Sequence, residues 1–467
     1  MGSVSKHQAI VKDRISALPD AVLGHILSFL RTKYAVRTTI LSKRWNKLWT
    51  YVPSLDFKDE QDFRTFRTDG YGSELFTNFV DRVLLFRQSS DIRKLRLSLR
   101  HCDAFSRIDG WICTAIRRNV VELDFFLCVD DDITFELPQC VFMCKTLEVL
   151  KLASNCLTCA PPPSGCFSSL KFLRVSVYYP VSDWVANIFS HCPLLEGLII
   201  DGNVGLERVL NFNISARNLK TLKIDLYIDG NPGDPAYNLF IDAPKLENLD
   251  VKLDKLSNYY IKDAKSLIKA DIDLEACGAE QQPAFANRVT ALLPLISSVK
   301  YLSLSAHCME YFMKKEGDFD MNQLALHECY CWEWLPVFLE ALHNLEALAL
   351  QDLRCTCAEV GLPKKESPDM ENGVSEDKNE WNEKYSQHQW NPPEFVPVCL
   401  SLHLKSVSIR GFKGRPVEIE VAKYLLKNGK VLNKLAIHTC SHTKPEELHQ
   451  EFVTFQRGSA TCQVELL

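Results

Sequence analysis

The sequence lacks a surplus of charge of either sign. Its 467 residues include 54 Lys and Arg against 59 Asp and Glu, which gives a formal net charge of −5. A general nucleic-acid binder, or a protein that coats an anionic membrane, attracts phosphate groups through a clear excess of basic residues. We therefore expect no nucleic acid and no membrane among the partners of this chain.

Long apolar runs are also missing. No stretch approaches the roughly 18 apolar residues that identify a membrane-spanning helix. The N-terminal residues include Lys6, Lys12 and Arg14 but no apolar core, so they do not fit a secretory signal. We expect an intracellular location, in the nucleus, the cytoplasm or both, where reducing conditions keep the 18 cysteines as thiols.

The motifs of catalysis and metal binding are absent or incomplete. The sequence has no Gly-x-Ser-x-Gly elbow and no His-Glu-x-x-His helix, and Gly429-Lys430-Val431 lacks the hydroxyl residue that completes a phosphate loop. Cys140-x3-Cys144 has no second pair at the spacing of a zinc finger. We expect no catalytic residue, no metal and no cofactor, and an enzyme is the less favoured alternative.

Residues 13–57 have the pattern of three short helices. Pro19 and Asp20 suit the first turn of a helix, and an apolar stripe with helical spacing follows them. Thr32 and Ser42 are candidate N-caps of two further helices. Helices this short cannot bury all of their apolar surface against one another, so we expect part of it to remain for a partner.

The order of motifs in this segment resembles an F-box. The matching motifs are Leu18-Pro19-Asp20, Ile26-Leu27-Ser28-Phe29-Leu30, Ala35-Val36-Arg37, Leu41-Ser42-Lys43-Arg44-Trp45 and Leu48-Trp49. The resemblance implies that residues 12–57 dock onto a Skp-type adaptor, and through it onto a cullin. By motif position, it assigns adaptor contact to Leu18, Pro19, Ile26, Leu27, Leu30 and Trp45. The residues Leu41, Leu48 and Trp49 stay open between adaptor contact and internal core.

A six-residue pattern, apolar-x-x-apolar-x-apolar, recurs eleven times between residues 90 and 355. Leu147-Leu150-Leu152-Asn155 and Leu195-Leu198-Ile200-Asn203 also carry the asparagine of the leucine-rich repeat consensus. The period of about 25 residues favours such repeats over an ordinary α/β sheet domain. We predict an α/β fold in which a curved solenoid carries a parallel sheet on its concave face, with an amphipathic return helix at residues 183–189. The first positions of the pattern are Ile92, Val120, Leu147, Leu170, Leu195, Leu219, Leu246, Leu267, Val299, Met321 and Leu345.

Side chains within each predicted strand alternate between the core and the concave surface. The outward positions of the middle repeats are rich in aspartate, with Lys223, Lys252 and Lys269 between them. One hypothesis is that this acidic stripe binds a basic segment of a target protein; an ordinary solvated strand face is the more favoured alternative. The acidic stripe consists of Asp201, Asp225, Asp250, Asp271 and Asp273. The later outward positions carry little charge and include Tyr301, Ser303, Ser305, Ala325, His327 and Ala349.

The C-terminal part begins after a change of composition. Residues 358–389 are acidic and poor in aliphatic residues, so we predict a disordered linker. In residues 390–467 we predict a helix at 418–428 with Gly429 as its C-cap, a strand at 431–437, and a terminal cap on the last repeat. This part resembles the FBD module that follows an F-box and leucine-rich repeats in a large plant family. The matching motifs are Trp390-x-x-Pro393, Val396-Pro397-x-Cys399-Leu400, Leu404-Lys405, Gly411-Phe412 and Tyr424-Leu425-Leu426.

The three parts in this order resemble the plant F-box/FBD/LRR family. The resemblance implies a substrate-recognition subunit of an SCF-type ubiquitin ligase, in which the repeats bind an unidentified target protein and other subunits perform the chemistry. A binding protein that sequesters a partner outside ubiquitin ligation is the alternative that the sequence leaves open.

Overall fold

The computed structural model describes the chain with several gaps. The described residues are 14–15, 17–59, 71–88, 91–100, 104–128, 134–158, 166–177, 191–203, 210–227, 237–253, 258–262, 265–274, 296–305, 332, 334–351, 390, 392–393, 395–412, 414, 416–439 and 445–467. The chain divides into two units, Met1–Leu195 and Glu196–Leu467. Among the described residues, no helix is long and apolar enough to cross a membrane.

The first unit begins with the three predicted helices, α1 (Asp20–Ser28), α2 (Thr32–Arg37) and α3 (Trp45–Leu48). The prediction of their N-caps is wrong, because α2 and α3 begin after Arg31 and Arg44 and neither has a side-chain cap. The hydroxyl of Thr32 instead accepts a hydrogen bond from the backbone N–H of Asp56 (2.8 Å). Thr32 therefore ties α2 to the strand that follows the helices.

The remainder of the first unit is built on a parallel sheet. Its helices are α4 (Tyr71–Phe86), α5 (Phe105–Arg117) and α6 (Gln139–Phe142). Its strands are β1 (Ser54–Lys58), β2 (Lys94–Arg100), β3 (Glu122–Cys128), β4 (Phe135–Glu136), β5 (Val149–Ser154), β6 (Leu157–Thr158) and β7 (Phe172–Val177). Strands β1, β2, β3, β5 and β7 pair in this order, all parallel, and β4 pairs with β6.

The second unit contains two parallel sheets. Its strands are β8 (Gly197–Asn203), β9 (Leu210–Ser215), β10 (Thr221–Tyr227), β11 (Tyr237–Asp242), β12 (Asn248–Leu253), β13 (Asn258–Lys262), β14 (Lys269–Leu274), β15 (Tyr301–Ser305), β16 (Ala347–Gln351), β17 (Ser406–Phe412), β18 (Lys434–Thr439) and β19 (Gln463–Leu466). The main sheet has the order β8-β10-β12-β14-β15-β16-β17-β18-β19, and the second sheet has the order β13-β11-β9. The helices of the second unit are α7 (Trp334–Ala341), α8 (Val398–Leu402), α9 (Pro416–Asn428) and α10 (Pro445–Val453).

The repeat pattern predicts the strands of the parallel sheet in the first unit and of the main sheet in the second unit. In ten of the eleven repeats, the strand begins two residues after the first apolar position, and that position is at most 3% exposed. Met321, the first position of the remaining repeat, lies outside the described residues. Two strands outside residues 90–355 follow the same pattern: Val52-x-x-Leu55-x-Phe57 gives β1, and Leu404-x-x-Val407-x-Ile409 gives β17. The alternation of buried and exposed side chains therefore also begins before the predicted repeat region.

The return segments of three repeats in the second unit are strands. β9, β11 and β13 pair in parallel with one another, and Phe212, Ile214 and Ile241 on these strands are buried. Each return strand follows a strand of the main sheet in the chain. The predicted return helix at residues 183–189 and the predicted disordered linker at 358–389 lie outside the described residues.

The C-terminal part extends the main sheet as well as ending it. Strands β17, β18 and β19 continue the parallel order after β16, so its description as a terminal cap alone is too narrow. The predicted helix is α9, and it ends at Asn428 directly before Gly429. A Cβ atom at Gly429 would lie 2.8 Å from the Leu425 carbonyl oxygen and 2.9 Å from Leu432 Cβ. The glycine is required there because the chain passes close to its own helix.

Candidate interaction surfaces

Helices α1, α2 and α3 enclose a small core of their own. It consists of Leu23, Leu27, Ala35, Trp45, Leu48 and Val52, against which Leu18 and Trp49 are packed. Two of the six predicted adaptor contacts, Leu27 and Trp45, are therefore core residues, with 1% and 6% of their surface exposed. Of the three residues that the motif leaves open, Leu48 belongs to the core, Trp49 packs against it and Leu41 is exposed.

An exposed apolar surface surrounds this core. Pro19, Ile26 and Leu30, three of the predicted adaptor contacts, lie on it, and Leu18 is half-buried at its margin. The helical period identifies the apolar positions but not which of them have no partner within the chain. Further exposed apolar side chains in this segment are Ile15, Val22, Phe29, Tyr34, Ile40, Leu41 and Tyr51. We call these exposed side chains, with Pro19, Ile26 and Leu30, the apolar surface of the helical segment.

Arg44 holds two of the motifs together. Its Nε atom donates a hydrogen bond to Asp20 Oδ1 (2.7 Å), and its Nη2 atom donates to the backbone carbonyl of Leu18. The side chains of Arg44 and Asp20 are both exposed, so the charge interaction itself adds little stability. The contacts fix the Leu18-Pro19-Asp20 turn beside the residue that precedes α3.

The main sheet of the second unit brings the acidic stripe together. Five strand-paired positions on its polar face, the face opposite the buried Leu222 and Ile224, are occupied by the predicted aspartates. One row across the strands is Asp201, Asp225, Lys252 and Asp273. The neighbouring row is Lys223, Asp250, Asp271 and Ser303. All five carboxylates are partly exposed.

Two lysines that lie between the aspartates have raised pKa values. Lys223 Nζ donates to Asp250 Oδ2 (2.7 Å), and Lys252 Nζ lies 5.5 Å from the centre of the Tyr227 ring. The hydrogen bond to Asp250 raises the pKa of Lys223, and a hydrogen bond to Tyr227 raises the pKa of Lys252. The charge of Asp225 raises both pKa values further.

The carboxylates are in excess over these lysines. Burial raises the pKa of the Asp271 carboxyl, and the charges of Asp250 and Asp273 act in the same direction against a hydrogen bond from Ser303. The buried Oδ1 atom of Asp225 has no hydrogen-bond partner among the described residues. Burial is the largest cause of the Asp271 shift, so this shift does not by itself indicate surplus charge. The surplus follows from the residues on this face, where five aspartates outnumber Lys223, Lys252 and Lys269.

The polar positions later in the sheet differ from the prediction. Tyr301 is exposed, but Ser303 and Ser305 are buried and so do not form part of an open face. Ala349 is partly exposed, whereas Ala325 and His327 lie outside the described residues. The open, charged positions of the described main sheet therefore concentrate on β8, β10, β12 and β14.

The polar face of the first unit offers a contrast. Glu122 Oε1 pairs with Lys151 (2.8 Å) and with Lys94 (3.1 Å). Burial raises the pKa of Glu122, but the hydrogen bonds and charges of Lys151 and Lys94 outweigh it and lower the pKa below its ordinary value. Arg96 lies between Asp56 (4.0 Å) and Asp124 (3.4 Å). Charges on this face are thus paired locally.

Most residues of the predicted C-terminal motifs are buried, whereas Val396 and Lys405 are exposed. Trp390 is buried, its indole N–H donates to the carbonyl of Trp332 (3.2 Å), and its ring meets Tyr424 edge-on at 5.3 Å. Cys399 Sγ donates to the carbonyl of Leu339 on α7 (3.1 Å). These contacts join α8 and α9 to the preceding repeat.

The cysteines take positions that the sequence does not predict. Cys140 Sγ lies 3.1 Å from Cys113 Sγ, and Cys144 Sγ contacts Thr146 Oγ1 at 3.3 Å. Cys140 and Cys144 therefore have separate partners. Among the described residues, no three His, Cys, Asp or Glu side chains form a group that could hold a metal ion.

Known proteins share this arrangement of parts. The family models that match are the F-box domain over residues 15–57, "FBD-associated F-box protein At5g56370, LRR repeats" over 108–270, and FBD over 391–437. The chain is 31% identical to the putative FBD-associated F-box protein At5g56440 of Arabidopsis thaliana, covering 96% of this chain and 99% of the relative. It is 30% identical to the F-box/FBD/LRR-repeat protein At2g04230 of the same plant, covering 93% and 90%. This chain belongs to the F-box/FBD/LRR-repeat family of plant proteins.

Proposed function

We propose that this protein is a substrate-recognition subunit of an SCF-type (Skp–cullin–F-box) ubiquitin ligase. F-box domains in general bind a Skp-type adaptor. The observation that carries the proposal is the apolar surface of the helical segment, which stays exposed beside a closed core. In this proposal the helical segment holds the adaptor, the adaptor connects to a cullin, and the repeats hold a target protein.

The burial of each predicted contact supports a particular part in adaptor binding. Pro19, Ile26 and Leu30 contact the adaptor directly, and Leu18 does so at the margin of the surface. Leu27 and Trp45 support this surface from the core. Burying one exposed Ile, Leu or Phe side chain contributes about 1.5–3 kcal/mol, so four or five of them offset a large part of the cost of association.

The chain contributes no bond-making step of its own. By holding a target protein in the same complex as a ubiquitin-charged enzyme, it raises the effective concentration of a target lysine at that enzyme. The chemistry belongs to the other subunits, and no catalytic residue is proposed for this chain.

A double substitution tests adaptor binding. We expect Leu18→Ala with Pro19→Ala to abolish co-purification of a Skp-type adaptor with the full-length protein, because both residues lie on or beside the exposed surface. The matched control is Leu75→Ala with Leu402→Ala, which removes two exposed leucines outside the helical segment. Adaptor recovery equal to that of the control variant would contradict the assignment of these residues.

We further propose that the acidic stripe binds a basic segment of the target. Its support is the excess of carboxylates over lysines on β8, β10, β12 and β14, together with the raised pKa values of Lys223 and Lys252. A segment rich in Arg or Lys supplies the missing positive charge and the hydrogen-bond donors.

Charge reversal tests the stripe. We expect Asp250→Lys with Asp271→Lys to weaken binding of a fluorescein-labelled, Arg-rich peptide by about tenfold or more, or about 1.4 kcal/mol. The control pair, Asp56→Lys with Asp124→Lys, changes the same number of charges on the polar face of the first unit. Equal affinities of the two double variants would show that the stripe is not the binding site.

A further inference from the structure

Two thiols from consecutive repeats meet in the first unit. Helix α5 carries Cys113, and α6 carries Cys140. Their Sγ atoms are 3.1 Å apart although the residues are separated by 27 positions in the chain. This separation is close to one repeat period, so the sulfur contact joins neighbouring repeats and does not arise from a local turn.

Both sulfur atoms belong to residues that solvent reaches. Cys113 and Cys140 are partly exposed, whereas Cys166 and Cys192, a second pair of neighbouring cysteines in this unit, are both buried. A small oxidant can therefore approach the first pair without unfolding of the chain. The buried pair offers an internal comparison with the same chemistry but without that access.

We propose that Cys113 and Cys140 form an oxidisable dithiol, which a peroxide converts into a disulfide that links α5 to α6. A disulfide needs the two sulfur atoms to approach to about 2.05 Å. The existing contact requires a closing movement of about 1 Å, which small rotations of the two side chains within their rotamer wells can share. The site does not depend on the ubiquitin-ligase function proposed above.

The reaction balances with hydrogen peroxide as the oxidant. The Cys113 thiol gives its proton to Asp109, whose Oδ2 atom lies 4.0 Å from Cys113 Sγ and accepts from it, and the sulfur attacks one peroxide oxygen. The O–O bond breaks, the leaving hydroxide takes up the proton as water, and Cys113 becomes a sulfenic acid. The Cys140 sulfur then attacks the Cys113 sulfur, the S–O bond breaks, and the Cys140 proton leaves with the hydroxyl as a second water. Two thiols lose two electrons in total and one peroxide gains them.

The surroundings assign different roles to the two thiols. Burial raises the pKa of Cys140 to about 12, and the neighbouring Cys113 sulfur contributes to this rise. Cys140 therefore stays protonated and reacts poorly with peroxide by itself. The 3.1 Å contact, and not the acidity of Cys140, makes it the resolving thiol: it lies beside the sulfenic acid, and its proton passes to the leaving hydroxyl, so we expect the disulfide to be the main product.

Peptide mapping of the folded, full-length protein tests this inference. The reduced protein is exposed to hydrogen peroxide, alkylated, and digested with trypsin without reduction. We expect mass spectrometry to show a disulfide between peptides 108–117 and 119–145, which contain Cys113 and Cys140. Because peptide 119–145 also contains Cys128 and Cys144, the link should persist in Cys128→Ser and Cys144→Ser and disappear in Cys140→Ser.

A second measurement needs no substitution. Phenylarsine oxide bridges two neighbouring thiols, so one equivalent should protect Cys113 and Cys140 together from alkylation in the reduced, folded protein. The buried Cys166 and Cys192 should remain unreactive toward peroxide and arsenical alike. Free Cys113 and Cys140 thiols after peroxide treatment, a disulfide that survives Cys140→Ser, or alkylation of both thiols in the presence of the arsenical would each overturn the proposal.

Discussion

Two neighbouring residues of α1 show how burial separates stability from recognition. Ile26 has 41% of its surface exposed, whereas Leu27 has 1% exposed and lies in the core with Leu23 and Trp45. Both are apolar and both belong to the helical stripe, so the sequence pattern alone assigns them the same role. The difference arises only when α2 and α3 cover one side of α1.

Substitution of Leu27 should therefore lower stability, whereas substitution of Ile26 should weaken adaptor binding. We expect Leu27→Ala to lower the free energy of unfolding of the helical segment by about 2–5 kcal/mol, because it leaves a cavity in a core. We expect Ile26→Ala to change stability by no more than about 0.5 kcal/mol and to weaken adaptor binding. Thermal unfolding and adaptor co-purification measure the two effects. Equal loss of stability in both variants would contradict the observed packing.

The raised pKa of Asp271 predicts how the free energy of unfolding changes with pH. Because burial raises its pKa above the value in the unfolded chain, the charged carboxylate costs stability at neutral pH, and this cost disappears as the pH falls through the pKa of the folded protein. We expect Asp271→Asn to raise the free energy of unfolding at about pH 7, with a difference that shrinks toward about pH 4. Urea unfolding across this range measures it, with Asp273→Asn on the same strand as the control. A difference that grows toward acidic pH would show the opposite sign.

At the scale of elements, the sequence predicts the strands of the main sheets better than the segments between them. The apolar pattern directly encodes burial on one face, and each first position that the structure describes, such as Leu219 or Leu345, precedes its strand by two residues. The return strands were not predicted, although Leu210–Ser215 alternates polar and apolar residues. Such a short alternation is ambiguous until a neighbouring strand supplies its hydrogen-bond partners.

The last strand illustrates the same limit. β19 has Val464 and Leu466 at the second and third apolar positions, but Thr461 occupies the first, so the complete pattern is missing. The strand forms because β18 offers a paired register from Lys434 to Ile437. Tertiary context therefore decides where this sheet ends in the described residues.

Removal of this strand should expose the edge of β18. We expect a chain that ends at residue 462 to show faster amide hydrogen exchange in Lys434–Thr439 and more self-association, because β18 then presents unpaired backbone groups. Hydrogen-exchange mass spectrometry measures the first effect, and exchange in Thr221–Tyr227, which lies far along the sheet order, serves as the internal control. Unchanged protection of Lys434–Thr439 would contradict a stabilising role for β19.

At the scale of the whole molecule, recognition is distributed over surfaces that the sequence predicts with unequal precision. The motifs identify the F-box, the repeats and the FBD module, and the family matches confirm all three. The residues that contact partners are harder to predict, since an adaptor contact such as Ile26 resembles a core residue and a stripe residue such as Asp250 resembles a solvated one. A partner's surface, which this sequence does not contain, determines those contacts.

The most direct test of the proposed function compares wild type with Leu18→Ala/Pro19→Ala by affinity purification from plant cells under proteasome inhibition. The quantities measured are the Skp-type adaptor recovered and the ubiquitin attached to each captured protein. The proposal predicts that both forms capture the same proteins, but that only wild type recovers the adaptor and ubiquitylated forms of those proteins. Equal ubiquitylation of the proteins captured by both forms would contradict it.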